Sequence, residues 1–281
     1  MTVSEGAVVH RSAGGKILRF LADLLIIDYV GAYRANKWRG VRNFVTASWR
    51  NARIILKSRN SKRAECPCCG WTGFEFLTLP AGCFIQDGCI CIQCGAQQRH
   101  RALRRYLDEH DAELRSRDGL LLHTAPEPSL GRYLDARTRF ARIGADIEPE
   151  KLRVAGCPVF RTDLRTISLP SNTVDAAFCL HVLEHICEDK QAIAELHRVL
   201  KPDGIAYFMV PMMPSPLQDT EEFGCARVDI FDHWRTYGLD FKGRLEGFEV
   251  EQIWPKDYLS DDERIRYGVG IEEIIHRCVK R

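Results

Sequence analysis

Between Val159 and Val210 the apolar and polar positions fall into blocks that predict strand, helix and strand in turn. Val159-Phe160 is a short apolar pair, and the turn Leu169-Pro-Ser-Asn-Thr separates it from the apolar run Val174–Leu180. A run this short, apolar but for Asp175, suits a buried strand. His181, Glu184 and His185 follow where that strand should end. Ile193, Leu196, Val199 and Leu200 then recur at helical spacing. Lys201-Pro-Asp-Gly stops the helix, because Pro202 cannot continue it and Gly204 suits the positive-φ position. Ile205–Val210 is a second strand. Strand, helix and strand with short polar links predict a parallel crossover.

The same reading extends in both directions. Gly119–Leu122 predicts a strand, Ser129-Leu-Gly-Arg-Tyr-Leu-Asp-Ala opens a helix, and Phe140–Asp146 is a further strand ending in a carboxylate. Downstream, Leu239–Leu245 reads as a helix, and Phe248–Ile253 and Ile271–Val279 as the last two strands. Upstream, a helix running to about Arg115 carries Leu103, Tyr106 and Leu107 on one face and a collar of Arg99, Arg101, Arg104 and Arg105. Residues 16–58 are helical with interruptions. Ile17, Phe20, Leu21, Leu24 and Leu25 form one apolar face, and Trp38, Val41, Phe44, Val45, Trp49 and Ile54 add anchors among arginines.

Seven of the twelve cysteines lie between Cys66 and Cys94. Cys66-Pro-Cys-Cys69-Gly and Cys91-Ile-Gln-Cys94-Gly are two C-x-x-C-G knuckles. Zinc takes four tetrahedral ligands, and each knuckle supplies two thiolates. The spacing predicts a zinc ribbon with a structural ion on Cys66, Cys69, Cys91 and Cys94, short strands within Trp71–Leu79 and Phe84–Ile85, and Cys89 as an alternative ligand. With no evident signal peptide, clustered cysteines point to metal before disulfides. We expect a cytoplasmic chain, peripheral at the inner membrane surface if the arm touches lipid.

Charge divides the chain. Residues 1–65 hold thirteen Lys/Arg against four Asp/Glu, a net of +9, and the remainder nets −7. A basic arm ahead of an acidic body predicts an anionic contact, phospholipid or nucleic acid, or else a docked arm. The apolar run Ile17–Val30 is interrupted by Arg19, Asp23 and Asp28 and is short of a membrane span.

The block from Asp163 to Pro211 resembles the second half of class I S-adenosylmethionine-dependent methyltransferases of the type 11 kind. Asp163, Leu169-Pro170, Val174-Asp-Ala-Ala177, His181-Val-Leu-Glu-His185 and Arg198-Val-Leu-Lys-Pro-Asp-Gly204 carry the resemblance. It covers about residues 118–281 and leaves out the arm and the ribbon. It implies an α/β fold, with a Rossmann-like seven-stranded methyltransferase sheet and helices on both faces. A zinc ribbon and a helical N-terminal arm would be added to it. The implied division is 1–62 arm, 63–97 zinc ribbon, 98–117 linking helix and 118–281 methyltransferase domain.

The resemblance implies S-adenosylmethionine as cofactor. Where the family has a Gly-rich loop after the first strand, this chain has His123-Thr-Ala-Pro-Glu127, so His123, Ala125, Pro126 and Glu127 would face the cofactor, Glu127 accepting a hydrogen bond or pairing with its ammonium group. Asp146, with Ile147, takes the place of the acid that accepts from ribose hydroxyls; it would otherwise cap the helix near Pro149. Asp163 and Leu164 would border the adenine, Leu180 and His181 the methyl-transfer site. Asp175 would serve the turn. His181, His185, His233 and Tyr237 are the candidate catalytic side chains, with Arg235 of the His233-Trp-Arg-Thr-Tyr-Gly run set to hold an acidic acceptor. The two histidines His181 and His185, four apart on one helical face, can bind metal or move a proton.

The expected activity is methyl transfer to a small-molecule, sugar or lipid-linked acceptor. A second reading keeps the chemistry and makes the acceptor RNA, tracked by the arginine collar and the arm. A third takes the missing glycines as a lapsed cofactor site in a zinc-stabilised interaction protein. Oligomeric state is not legible in the sequence.

Overall fold

The computed structural model describes residues 37–81, 84–152, 156–212 and 219–281. The expected arm segment 16–36, Cys83 and residues 213–218 lie outside them.

Seven strands form one sheet: β5 (Asp118–Thr124), β6 (Arg139–Asp146), β7 (Val159–Arg161), β8 (Val174–Leu180), β9 (Leu200–Met209), β12 (Phe248–Ile253) and β13 (Ile275–Lys280). Their spatial order is β12-β13-β9-β8-β5-β6-β7. Strands β7 through β9 pair in parallel, and β13 runs antiparallel between β9 and β12. The chain starts in the middle at β5, builds outward through β6 and β7, then crosses back to β8. The C-terminal ends of β5 and β8 therefore flank the topological switch point, where open α/β sheets bind ligands.

Apolar layers cover both faces, so β8 reads as an apolar run interrupted only by Asp175. Ala177 and Cys179 of β8 join one layer with Ile193 and Leu196 of α5 (Asp189–Val199). Ala176, Phe178 and Leu180 join the other with Leu103 and Leu107 of α2 (Gln98–Glu109) and Leu130 and Leu134 of α4 (Pro128–Arg137). Each fully buried side chain of this size contributes about 1.5–3 kcal/mol. A short helix, α3 (Ala112–Ser116), links α2 to the sheet.

The ribbon comprises the hairpin β1 (Ala64–Glu65) with β2 (Thr72–Gly73) and the hairpin β3 (Leu77–Ala81) with β4 (Phe84–Ile90). Ahead of it, α1 (Lys37–Ser58) docks through the buried Asn43, Ala47 and Ile54. Asn51 acts as a strand mimic there: its amide donates to the Thr78 carbonyl at 2.9 Å and accepts from the Thr78 N–H at 2.7 Å.

Arg101 joins the ribbon to the body, and the expected basic collar is corrected by it. It is fully buried, and its five N–H groups donate to the carbonyls of Gly88, Cys89, Ala96, Tyr267 and Gly268 at 2.6–3.0 Å. The guanidinium also lies over Phe76, 3.7 Å from the ring centre. Arg104 and Arg105 pair one turn on with Asp108 and Glu109. These side chains hold the helix and ribbon together instead of presenting charge to a partner.

Four local expectations change. Asp203, not Gly204, takes the left-handed conformation (φ 59°); Gly204 is needed because a Cβ would lie 2.8 Å from the Lys201 carbonyl. The last strand begins at Ile275 because its register with β9 starts at His276 opposite Phe208, leaving Ile271 exposed. Leu239–Arg244 is a 3-10 helix. His181 and His185 do not share a helical face: His181 has φ 53°, which no right-handed helix admits, and Leu183–His185 is one 3-10 turn.

Candidate active site

The loop after β5 makes a left-handed turn without a glycine. Ala125 takes φ 44°, and its N–H is held by the Ala145 carbonyl at 2.8 Å. Pro126 lies over the neighbouring strand, where Gly144 makes room: a Cβ there would come within 2.8 Å of Pro126 Cγ.

Glu127 is fixed by two imidazoles. His100 Nε2 and His123 Nε2 each lie 2.9 Å from one of its oxygens. The Gln97 N–H donates to His100 Nδ1 at 3.1 Å, so Nε2 carries that ring's proton and donates to Glu127. Burial alone pushes this carboxyl up, but the histidine donors outweigh it and hold it well below the usual carboxylate range. Each Glu127 oxygen thus accepts one hydrogen bond, as the sequence led us to expect of this side chain, and keeps a lone pair for a further donor. The chain's own orphan here is His123 Nδ1, a fully buried acceptor without a hydrogen-bond partner.

Asp146 stands at the end of β6, half-buried, with Oδ1 accepting from the Glu148 N–H at 2.7 Å and Ile147 exposed beside it. Asp163 lies two residues past β7 and is clasped by Arg165, whose Nη2 is 2.6 Å from Oδ2. Arg165 holds the Asp163 carboxyl below its ordinary value and also pairs with Glu188 at 2.7 Å. Leu164 is buried in the layer beneath, and Leu180 lies in the opposite layer with Phe178 and Tyr207. Asp175 braces the sheet, accepting from the Leu120 N–H and pairing with Lys201.

Across the switch point, the His181 N–H bonds the Met209 carbonyl at 2.8 Å, which turns the chain sharply off β8. Glu184 is 1% exposed, and its Oε2 has no hydrogen-bond partner. Oε1 is 3.8 Å from His181 Nδ1 and 4.0 Å from His185 Nε2, too long for hydrogen bonds. Burial pushes this carboxyl up to about 8. Burial holds His181 well below its ordinary value and lowers His185; with His185 alongside, it brings His233 to about 4. All three imidazoles are neutral near pH 7.

Tyr237 and Arg235 are placed in the frame rather than at an open surface. Tyr237 is fully buried and donates to Asp189 Oδ2 at 2.8 Å. Arg235 is buried, donates to the carbonyls of Ile186 and Cys187 at 2.6 Å, and pairs with Glu222 at 2.9 Å. The sequence reading missed Asp189, which Arg244 also reaches at 2.9 Å, and the tie from His100 to Glu127. Neither has a local signal, because the partners are 27 to 55 residues apart.

The four knuckle sulfurs all lie within 4.8 Å of one another, with Cys66–Cys94 and Cys69–Cys91 at 3.7 Å. A disulfide needs about 2.05 Å, whereas zinc–sulfur bonds of about 2.3 Å in a tetrahedron put sulfurs about 3.8 Å apart. The donor set therefore fits zinc. Cys89 stands outside this group, its thiol on Gln86.

The methyltransferase domain family matches residues 131–208, from α4 to the end of β9. No curated protein matches the chain. An S-adenosylmethionine-dependent methyltransferase of Mesorhizobium loti is 15% identical over 64% of this chain and 98% of its own, with a TM-score of 0.47. One from Archaeoglobus fulgidus is 15% identical over 65% and 92%, with a TM-score of 0.46. With this strand order and that family match, the chain carries a methyltransferase domain with the S-adenosylmethionine-dependent methyltransferase fold.

Proposed function

We propose that this enzyme methylates a hydroxyl- or carboxylate-bearing small-molecule, sugar or lipid-linked acceptor, and that zinc on Cys66, Cys69, Cys91 and Cys94 fixes its ribbon. The observation that carries the acceptor site is the meeting of two left-handed turns, at Ala125 and His181, on either side of the switch point. Strained backbone of this kind persists where function requires it. The bound cofactor supplies an activated methyl group, so the protein's task is to orient donor and acceptor and exclude water. In this reading Asp146 accepts from the ribose, with Ile147 alongside. His123, Ala125 and Pro126 line the approach, and Asp163 with Leu164 receives the adenine once Arg165 turns aside. His181, His185 and His233 face the acceptor as neutral rings. Tyr237 acts only by holding Asp189.

The lipid-linked form of the acceptor is supported by α1. Trp38, Val45, Trp49 and Leu56 are exposed along one face of that helix, flanked by Arg39, Arg42 and Arg53, with no acidic residue in the helix. Such a face suits an anionic interface. No helix among the described residues is long and apolar enough to cross a membrane. The RNA reading loses the arginine collar, which is used internally.

Calorimetric titration with S-adenosylmethionine and its demethylated product tests the cofactor site. Micromolar binding that weakens at least ~10-fold in Asp146→Ala is expected, from loss of a charge-assisted acceptor. Equal binding by a folded Asp146→Ala variant would sink this assignment.

A further inference from the structure

A second set of ligating side chains lies outside the ribbon. Glu184, His185 and His233 each bring one ligand atom to within 4.8 Å of the others. They come from different elements: the 3-10 turn after β8, and the first residue of β11 (His233–Thr236), which pairs with β10 (Glu221–Arg227). The rings of His185 and His233 meet edge-on, 4.9 Å between centres. The His185 ring bonds the Phe231 backbone, but internal hydrogen bonding leaves Glu184 unaccounted for. Glu184 Oε2 is buried with no partner, and Oε1 is beyond hydrogen-bond reach of His181 and His185. The backbone is also bent to deliver His233, since Phe231 and Asp232 before it both take left-handed conformations (φ 55° and 61°). Two such residues in succession are uncommon away from glycine.

We infer that Glu184, His185 and His233 bind one divalent transition-metal ion at the acceptor end of the crevice. Two imidazoles and one carboxylate are a three-ligand set that leaves coordination positions open, as catalytic sites do and the closed four-thiolate ribbon does not. Imidazole favours zinc, iron, cobalt or nickel over magnesium or calcium. The ion would give Glu184 the partner it lacks. The cations facing Glu184 are Arg99 and Arg235. Arg235 is matched by Glu222 and Asp189, and Arg99 lies 3.7 Å from Glu127, so neither leaves an unmatched positive charge at the entrance.

The role of the ion rests on the methyl-transfer reading; its binding does not. An acceptor hydroxyl on an open position would become more acidic and lose its proton to water. Its oxygen then bonds the methyl carbon as the carbon–sulfur bond breaks, and the sulfur keeps the electron pair.

The test is titration of the zinc-loaded full chain with Co²⁺ alone, followed by visible absorption without cofactor. One Co²⁺ per chain is expected, with ligand-field bands and no thiolate charge-transfer band. Binding should weaken at least ~10-fold in His185→Ala, whose ring is 44% exposed and whose loss the fold tolerates, and in the isosteric Glu184→Gln. No uptake, uptake accompanied by a thiolate band, or equal binding by both variants would overturn the site. Because no cofactor is present, a failure here leaves the S-adenosylmethionine titration standing, and the reverse also holds.

Discussion

Two glutamates follow the strands on either side of the switch point, Glu127 after β5 and Glu184 after β8, and they are treated oppositely. Glu127 has an imidazole at 2.9 Å on each oxygen and is held ionised. Glu184 is more deeply buried, has no hydrogen bond to Oε2, and is pushed up to about 8. A satisfied carboxylate fixes geometry, and an unsatisfied one marks a place where something else binds, because burying a lone charge is costly. The Glu127 side is therefore built as frame, reaching back through His100 to the ribbon, while in the proposed reading the Glu184 side is left for a ligand.

The largest expected effect separates the two sides through the ribbon. Cys91→Ser should abolish zinc retention and melt the ribbon, since metal-binding free energy on the order of 10 kcal/mol is folding free energy there. His100 then loses its seat, so S-adenosylmethionine affinity should fall along with zinc content. An unchanged melting temperature would refute a structural ion.

Next in size is Glu127→Gln, which removes a charged acceptor from two imidazoles and should cost roughly 2–4 kcal/mol by denaturant unfolding. The pH dependence follows from the sign of the shift. The folded carboxyl lies below its unfolded value of about 4.3, so its stabilisation is complete above that value and is lost as pH falls through the folded one. The gap between wild type and Glu127→Gln should be full near pH 7 and should close in acid below about pH 4. A gap that does not change with pH would mean Glu127 is not held ionised.

Smallest is Glu184→Gln, expected within about 1 kcal/mol of wild type in metal-free buffer, because Oε2 has no partner to lose and a desolvation cost is removed. Destabilisation as large as that of Glu127→Gln would break the contrast.

The sequence by itself determined the strand and helix rhythm, the sheet class and the four-cysteine set. Those signals are local: a strand repeats every two residues, a helix every three or four, and each knuckle places two thiolates within four positions. It also marked the histidine and acid positions after β8 and at the end of β6. Only the tertiary structure decided what the charged and polar side chains do. Arg101 reads as one arginine of a surface collar, yet it is fully buried on carbonyls up to 167 residues away. Tyr237 reads as a catalytic hydroxyl, yet it is a core residue on Asp189. Pro126 reads as part of a local loop, yet it is Gly144 on the next strand that makes room for its ring. A side chain's partner is set by which elements the sheet brings side by side. Glu127 and Glu184 have the same chemistry, and only the neighbours that fold against them make one a brace and the other a site.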